Sequence, residues 1–258
     1  MLRYIVRPTN IRKTPRIIAD ALSVRTRTVD ARHTCFDLSS DFFCAYPPAH
    51  RVVDGNGVPC VGDSCYESLR GFYTSSKPTQ RLVLARSGIR TPWTRTSHTD
   101  WCNHGTTVPR YIVRPFAHSG GRNYRITEDQ NDFREGQEYL QAVFPKDREY
   151  RIIFIYGEPI IWYRKKVTQG TPAEVAWNHD TGSFFLTIQR PETCKLTETT
   201  AIEDLLRSPI IQNASIVAAD IMWHPTLGYS VCELNMCPGI QIPASIERIV
   251  SYVQHHFN

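Results

Sequence analysis

The stretch YSVCELNMCPGIQIP, residues 229–243, decides the fold. Tyr229 and Val231 alternate as in a half-buried strand, and Glu233 and Asn235 continue that alternation before a Pro-Gly pair interrupts it. Because residues two apart along a strand point to the same side, Glu233 and Asn235 share one face. This face is either the solvated end of a strand or part of a metal site.

A second carboxylate precedes this stretch by thirteen residues. Asp220 ends the apolar run SIVAAD, and a hairpin that turns at residues 225–228 would bring it towards Glu233 and Asn235. Two carboxylates and an amide oxygen suit Mg²⁺, which takes one or two carboxylates together with substrate phosphates and water. Acidic hairpins are common on protein surfaces, so this spacing alone leaves both interpretations open.

Phosphate-binding elements occur earlier in the chain. Ser119, Gly120 and Gly121 form a turn between two predicted strands, where successive backbone N–H groups can wrap phosphate oxygens. Lys77 and Arg114 can supply cations to the same phosphates. Taken singly, each feature fits an ordinary turn or a surface charge better, so their order along the chain is the informative property.

The composition is that of a soluble globular protein. The chain has 258 residues, 41% of them hydrophobic, and a formal net charge of +5. It has no apolar run of the ~20 residues that span a bilayer, and its basic N-terminus lacks the apolar core of a secretory signal. We therefore expect a cytoplasmic protein with no membrane partner. Its charge permits an acidic partner, and nucleic acid is possible but not indicated.

Eight cysteines raise the question of disulfides or zinc. The gaps between Cys35, Cys44, Cys60 and Cys65 fit no short zinc-binding pattern, and the other four cysteines are dispersed. The sequence favours reduced, structural cysteines. A zinc site built from these four cysteines with His33 and His50 is the lesser alternative.

The pattern of elements predicts an α+β protein after a small α/β unit. In residues 1–76, a strand at 3–7, a helix at 14–22 and a strand at 25–29 precede an irregular segment, 37–76, with a domain boundary near Ser75-Ser76. Beyond it, helices are predicted at 77–87 and 199–207 and from Pro243, and strands at 110–116, 124–127, 139–144, 148–156, 160–166, 215–223 and 229–235.

Four segments in this order resemble the ATP-grasp superfamily. They are Lys77 with LARSGIRTP, then YIVRPFAHSGGRNYRI, YLQAVFPKDREYRIIFIYGEPI and finally AADIMWHPTLGYSVCELNMCPG. The last is the most specific, because the family carries an Asp followed about thirteen residues later by Glu-x-Asn-x-x-Pro-Gly. The resemblance implies that residues 77–258 form an ATP-grasp domain of two α+β subdomains clamping ATP, preceded by a small α/β domain at 1–76.

The resemblance also implies roles for individual residues. Asp220, Glu233 and Asn235 would hold Mg²⁺ or Mn²⁺, with Glu233 bridging two ions. The implied nucleotide contacts are Lys77 and Arg114 on the phosphates, Ser119, Gly120 and Gly121 in the loop over them, Gln141, Ala142 and Val143 at the adenine, Glu149 on the ribose and Asn178 facing phosphate and metal. Asn178 fits a simple turn equally well. Arg164 and Lys165 would approach the γ-phosphate or acyl phosphate.

Two departures from the family pattern matter. Arg114 stands where a lysine is usual, which keeps the charge and adds a forked donor. Ala218 stands two residues before Asp220, where D-alanine–D-alanine ligases carry an arginine, so stabilisation of the tetrahedral intermediate is expected from Arg164 or Arg190. The N-terminal region is short and weakly patterned compared with the usual leading domain of the family, so the resemblance specifies the substrate site less well than the ATP site.

The function implied is that of an ATP-dependent carboxylate–amine ligase working through an acyl phosphate. Its partners would be ATP or ADP, a carboxylate donor and an amine acceptor, which is a small molecule, a peptide or a macromolecule. Compact members of this kind are similar to examples carried by bacteriophages. The alternatives are an ATP-grasp phosphotransferase and a nucleotide-binding module without catalysis, the latter disfavoured by the intact set of metal ligands.

Overall fold

The computed structural model describes most of the chain from residue 75 onwards and short segments before it. The described residues are 4–8, 18, 20–21, 25–29, 35–37, 42–44, 51–53, 72, 75–98, 110–116, 123–168, 170–172, 177, 182–189, 191–214, 216–236, 238–240 and 242–257.

Parallel strands form the N-terminal part. They are β1 (Tyr4–Pro8), β2 (Arg25–Val29), β3 (Cys35–Asp37), β4 (Phe42–Cys44) and β5 (Arg51–Val53). Strand β1 lies between β2 and β4, and β3 pairs with β5. The two predicted strands are confirmed, but the prediction of an irregular segment over 37–76 is wrong at β4 and β5. These strands are three residues long, too short to show an alternating pattern in a stretch rich in turn-forming residues.

Helix α1 (Lys77–Arg86) follows, as the sequence predicts. The Ser76 side chain accepts a hydrogen bond from the Thr79 N–H and caps the start of the helix. At its other end Gly88 adopts φ +79°, a conformation that glycine tolerates without strain. The buried face of α1 carries Leu84 and, less usually, the charged Arg81.

A four-stranded antiparallel sheet comes next. Its strands are β6 (Thr94–Arg95), β7 (Tyr111–Pro115), β8 (Arg125–Thr127) and β9 (Glu138–Ala142), in the order β6-β9-β7-β8. Strands β7 and β8 pair as the predicted hairpin. One face of this smaller sheet is apolar, because Tyr111, Val113, Leu140 and Ala142 cluster with Phe133.

A five-stranded antiparallel sheet forms the centre of the protein. Its strands are β10 (Arg148–Ile155), β11 (Glu158–Lys166), β12 (Phe184–Thr187), β13 (Val217–His224) and β14 (Gly228–Asn235), in the order β12-β11-β10-β13-β14. Tyr156 and Gly157 make the tight turn between β10 and β11 with φ +46° and +80°.

Both faces of this larger sheet are covered by helical segments. On one face α2 (Ala201–Leu206), α3 (Pro209–Asn213) and the 3₁₀ turn Lys195–Glu198 contribute to the main core. A further 3₁₀ turn, Pro191–Thr193, precedes them and has no buried residue. On the other face α4 (Pro243–Phe257) packs Ile249 and Val253 against Ile153 and Ile161. Strands β6 and β12 and helix α3 were not predicted. None of the described helices is long and apolar enough to cross a bilayer.

Candidate active site

The sheet face beneath α4 is apolar at one end and charged at the other. Strand pairing determines which residues share it, because directly paired residues of antiparallel strands point to the same side. Arg151 is paired with Asp220 and with Tyr163, whereas the next pair along, Ile153 with Ala218, lies in the apolar cluster. The charged end contains Glu149, Arg151, Lys165, Asp220, Glu233 and Asn235.

The predicted hairpin brings the three proposed metal ligands together. Asp220 on β13 lies directly opposite Glu233 on β14, and Ala218 lies opposite Asn235. The register shifts between Asp220 and Ile221, so that Cys232 is an extra residue in β14. The main-chain carbonyl of Cys232 accepts a hydrogen bond from Arg81 Nε at 2.9 Å, which ties α1 to this bulge.

Asp220 is held by a two-pronged ion pair. Arg151 Nε lies 2.6 Å from Asp220 Oδ1, and Arg151 Nη2 lies 2.6 Å from Oδ2. Only 5% of the Asp220 side chain and 15% of the Arg151 side chain are exposed. Burial favours the protonated acid, but the charge and hydrogen bonds of Arg151, with help from Lys165, outweigh it and lower the pKa of Asp220. The carboxylate is therefore charged and available to a cation.

Glu149 is clamped between two lysines. Lys146 Nζ lies 2.7 Å from Glu149 Oε2, and Lys165 bonds to Oε1. Burial acts to lower the pKa of Lys165, but the nearby charges of Glu149 and Asp220 more than compensate and raise it. Both carboxylate oxygens of Glu149 thus have cationic partners.

Lys77 pairs with the predicted bridging ligand. Its ammonium group, on the first residue of α1, lies 2.6 Å from Glu233 Oε2. This pair is more open than that of Asp220, since 33% of the Lys77 side chain and 24% of the Glu233 side chain are exposed. Each carboxylate of the site therefore has a cation from another part of the chain as its partner.

The smaller sheet presents polar groups to the same region. Arg114 is paired with Tyr139, and Gln141 lies two residues further along β9, so these side chains share one face. The guanidinium of Arg81, which is tied to β14, lies 5.6 Å from the centre of the Tyr139 ring. Arg81 thus links the face of the smaller sheet to the Glu233 strand.

Three buried polar atoms in this region are unsatisfied. Arg81 Nη1, Arg114 Nε and Gln141 Oε1 find no hydrogen-bond partner within the described part of the chain. Buried polar atoms are nearly always paired, so an unpaired group points to a missing partner such as a bound ligand. Two donors and one acceptor on one side of a charged site fit a polar, anionic ligand.

The predicted adenine contacts are only partly available. The N–H groups of Ala142 and Val143 donate to the carbonyls of Trp93 (2.8 Å) and Arg110 (3.0 Å). Their carbonyl oxygens and the unpaired Gln141 Oε1 are acceptors, which is what the predicted contact with the amino group of adenine requires.

Arg164 is the one remaining predicted residue that the structure describes, and it does not lie on this face. Arg164 is paired with Tyr150, and its charge acts on Tyr150 and Cys194 on the opposite side of the sheet from Lys165. Because adjacent strand residues point to opposite faces, only Lys165 of these two lies on the face of the carboxylates. The contacts of Arg164 and Lys165 with the γ-phosphate or acyl phosphate stay predictions. Ser119, Gly120, Gly121, Asn178 and Arg190 lie outside the described residues.

Three cations of the site, Arg81, Lys146 and Arg151, were not predicted. Arg151 follows Glu149 by two residues, and the Glu-x-Arg spacing within a strand is a signal that places both on one face. Lys146 lies buried against the ring of Trp177, with Nζ 4.6 Å from its centre. The sequence pattern around Lys146 and around Arg81 does not distinguish either residue from an ordinary surface charge.

The donor set suits Mg²⁺ better than a softer metal. The described residues contain no group of three or more His, Cys, Asp and Glu side chains placed to hold an ion. Asp220, Glu233 and the Asn235 amide instead provide a small set of hard oxygens, which fits an ion that keeps water or phosphate ligands. Cys194 and Cys232 are free thiols, and the proposed cysteine and histidine zinc ligands lie outside the described side chains.

Comparison with known proteins identifies the fold. No protein-family model and no curated protein matches the sequence. Solved structures do match over almost the whole chain. The ligase PsnB, complexed with a minimal precursor, Mg and ADP, has a TM-score of 0.58 and 11% identity, with 100% of this chain and 99% of PsnB covered.

Two further structures match over similar lengths. The D-cycloserine synthetase DcsG has a TM-score of 0.54 and 11% identity, with both chains fully covered at 100%. The D-alanine–D-alanine ligase of Bacillus anthracis, complexed with ATP, has a TM-score of 0.51 and 13% identity, with 100% of this chain and 94% of the ligase covered. The chain therefore has the fold of the ATP-grasp ligases.

Proposed function

We propose that the protein is an ATP-dependent ligase that joins a carboxylate to an amine. The observation that carries this proposal is the charged end of the larger sheet, where Asp220, Glu233 and Glu149 each face a cation and unpaired polar atoms lie nearby. Cations outnumber carboxylates there, so the site favours a polyanion that arrives with its own metal. A triphosphate with Mg²⁺ meets this requirement.

The nucleotide would lie between the two sheets. Arg114 and Arg81 would donate to phosphate oxygens from their unpaired nitrogens, and Gln141 Oε1 would accept from the adenine amino group. Asp220, Glu233 and Asn235 would hold Mg²⁺, whose positive charge would offset that of the phosphates. Ser119, Gly120, Gly121 and Asn178 stay candidates for phosphate contacts on the resemblance alone.

On binding of the nucleotide and the metal ion, the charged side chains of the site would exchange their present ion-pair partners for the phosphates and the ion. Lys77 would turn from Glu233 towards a phosphate, and Lys165 would do the same beside Glu149. The carboxylates released by this movement would become ligands of the ion. This exchange makes nucleotide and metal depend on each other, because either alone would meet a site whose charges are already paired.

The reaction would then follow two displacements. A carboxylate oxygen of the donor attacks the γ-phosphorus, the bond to ADP breaks and an acyl phosphate forms. The amine attacks the acyl carbon, the carbon–oxygen bond to phosphate breaks, and phosphate leaves as the nitrogen loses a proton to solvent. The side chains of the site contribute mainly orientation and neutralisation of charge.

The molecules named with the similar structures suggest candidates for the carboxylate donor and the amine acceptor. PsnB is complexed with a minimal precursor, the macrocyclase MdnC is bound with a precursor peptide, and DcsG is a D-cycloserine synthetase. A peptide and a small molecule are therefore both candidates. We further propose that residues 77–258 form the ATP-grasp domain, that residues 1–76 form the preceding domain and that the protein acts in the cytoplasm.

Thermal unfolding tests the nucleotide site directly. Melting temperatures are measured with ADP, with Mg²⁺, and with both, for the wild type, Glu233→Ala and the control Glu247→Ala on the exposed side of α4. At a hundredfold excess over Kd, ligand binding stabilises by about 2.7 kcal/mol, which raises Tm by roughly 5–10 °C. We expect this rise only with both ligands, and its loss only in Glu233→Ala.

The outcome separates the candidate functions. A wild type that shows no rise with millimolar Mg·ADP would contradict the nucleotide site. A rise with ADP alone, unaffected by Glu233→Ala, would contradict the metal assignment. With binding established, release of phosphate that requires both a carboxylate and an amine identifies a ligase, whereas a stable phosphorylated product identifies a phosphotransferase.

A further inference from the structure

Arg81 is a buried arginine that bonds to the main chain of another element. The residue is only 4% exposed, and its Nε donates to the main-chain carbonyl of Cys232 at 2.9 Å. Its guanidinium also lies 5.6 Å from the centre of the Tyr139 ring on the smaller sheet. Because a charged group is costly to bury, this position indicates that the contacts of the guanidinium matter to the protein.

The carbonyl that Arg81 holds belongs to the bulge that directs Glu233. Val231 lies in the main core, on the sheet face opposite to the metal ligands. Regular alternation would turn Glu233 to that core as well, since the two residues are two apart. Cys232 is an extra residue in β14, and its presence places Glu233 opposite Asp220 instead. The place of Glu233 in the site therefore depends on this bulge.

Two side chains of α1 hold this part of β14, and they do so differently. Lys77 and Arg81 are four residues apart, so they lie on the same side of the helix. Lys77 pairs with the Glu233 carboxylate and has 33% of its side chain exposed, whereas Arg81 is buried and bonds to the main chain. In the proposed function Lys77 leaves Glu233 for a phosphate. The bond from Arg81 takes no part in that exchange, so it can hold the bulge while Glu233 turns to the ion.

The other end of the same guanidinium is unpaired. Nη1 of Arg81 is buried and has no hydrogen-bond partner within the described residues. A guanidinium is planar and rigid, so an anion bound at Nη1 and a carbonyl bound at Nε have a fixed relative position. In the proposed function that anion is a phosphate of the nucleotide. The positions of the phosphate and of the bulge are then linked through one rigid group.

Building on the proposed ligase function, we propose that Arg81 is a positioning residue that couples nucleotide binding to Glu233. Its Nε fixes the bulge at Cys232 and so directs Glu233 towards Asp220. Its Nη1 makes that arrangement depend on the phosphate. Nucleotide and ion then each bind more tightly in the presence of the other, because both need the same arrangement of β14. Arg81 contacts no ion, forms no covalent bond and transfers no proton.

Calorimetric titration with ADP tests this coupling. The dissociation constant of ADP is measured without Mg²⁺ and with saturating Mg²⁺, and the ratio of the two constants is the metal enhancement. The variants are Arg81→Lys and the control Arg86→Lys, which lies exposed in the last turn of the same helix. Lysine keeps the positive charge, but its single nitrogen cannot hold a carbonyl and a phosphate in the geometry of a guanidinium. We expect Arg81→Lys to lower the metal enhancement at least about tenfold and Arg86→Lys to keep it within about twofold of wild type.

Urea unfolding of the ligand-free variants separates positioning from a merely structural role. If Arg81→Lys lowers the urea midpoint but keeps the metal enhancement of the wild type, the proposal is wrong. Equal weakening of ADP binding with and without Mg²⁺ also overturns it, because Arg81 would then act on the phosphate alone. A wild type that binds no ADP even with Mg²⁺ contradicts the proposed function itself.

A second variant covers the case in which Arg81→Lys does not fold. Lys77→Met removes the side-chain partner of Glu233 and keeps the bond between Arg81 and Cys232. ADP should bind several-fold more weakly because a phosphate loses a cation, while the metal enhancement stays within about threefold of wild type. Loss of the metal enhancement in a folded Lys77→Met would show that the bond to the bulge does not place Glu233, and would contradict the proposal.

Discussion

Asp220→Asn is expected to destabilise the protein in the absence of any ligand. The substitution keeps the shape of the side chain and removes the charge that faces Arg151 at 2.6 Å. Burial acts to lower the pKa of Arg151, but nearby charges and hydrogen bonds, above all the charge of Asp220, more than compensate and raise it. Without Asp220 a nearly buried guanidinium has lost its principal partner.

The expected magnitude follows from the burial of the pair. Breaking a buried ion pair on one side costs about 3–5 kcal/mol, because the remaining charge is left uncompensated. The cost here should lie near the lower bound, about 3 kcal/mol, since Glu233 and Glu149 also act on Arg151. The partly exposed pair of Lys77 and Glu233 provides the comparison, and Glu233→Gln should cost only about 0–1 kcal/mol.

Urea unfolding at neutral pH, without nucleotide or metal, measures both values. The double variant Arg151→Met with Asp220→Leu provides a further check. Replacing both members of a buried pair by apolar residues is often neutral, so the double variant should be more stable than Asp220→Asn. A loss below about 1 kcal/mol in Asp220→Asn would refute the view that Asp220 neutralises a buried charge.

Two further predictions concern positions outside the site. Glu138 accepts hydrogen bonds from Arg134 and Arg125, which lower its pKa from 4.5 to about 2 against the effect of burial. The contribution of Glu138 to stability is therefore present above pH 4.5 and lost as the pH falls towards 2. Glu138→Gln should destabilise the protein by about 1–3 kcal/mol at pH 7, and its difference in stability from the wild type should shrink between pH 4.5 and pH 2. Urea midpoints measured between pH 7 and pH 2.5 test this sign, and a constant difference would contradict it. Gly228→Ala should cost about 1 kcal/mol, because φ is +74° and the added methyl would lie 3.1 Å from Arg90 Nη1. The control Gly239→Ala meets nothing within 4 Å and should be neutral when both variants are compared by thermal unfolding.

The pairing of β13 with β14 could be predicted because its information is local. Asp220, Glu233 and Asn235 lie on two strands joined by a short turn, so their spacing predicts that these strands pair. Glu233 shares the face of Asp220 only because Cys232 is an extra residue in β14, and alternation alone does not predict that bulge. The same reasoning predicted α1, whose cap and terminal glycine are adjacent to it in sequence. Elements whose signals lie within some ten residues were recovered with nearly correct bounds.

Contacts between distant segments could not be predicted in this way. The pairing of Arg151 with Asp220 joins residues 69 positions apart, and that of Lys77 with Glu233 joins residues 156 apart. No period within either segment specifies the partner. Arg164 is a related case, since the resemblance assigns it to a phosphate together with Lys165, whereas alternation along β11 directs the two side chains to opposite faces.

The division of one sheet face into an apolar and a charged end explains how the same strands serve both stability and binding. Ile153 and Ile161 on β10 and β11 anchor α4, while Arg151 and Lys165, two and four residues away on the same strands, face the carboxylates. Because the charges are paired within the sheet, the strands hold their positions before any ligand arrives. In the proposed function a ligand would then have only to exchange the partners of these side chains, because folding has already established the orientation of the site.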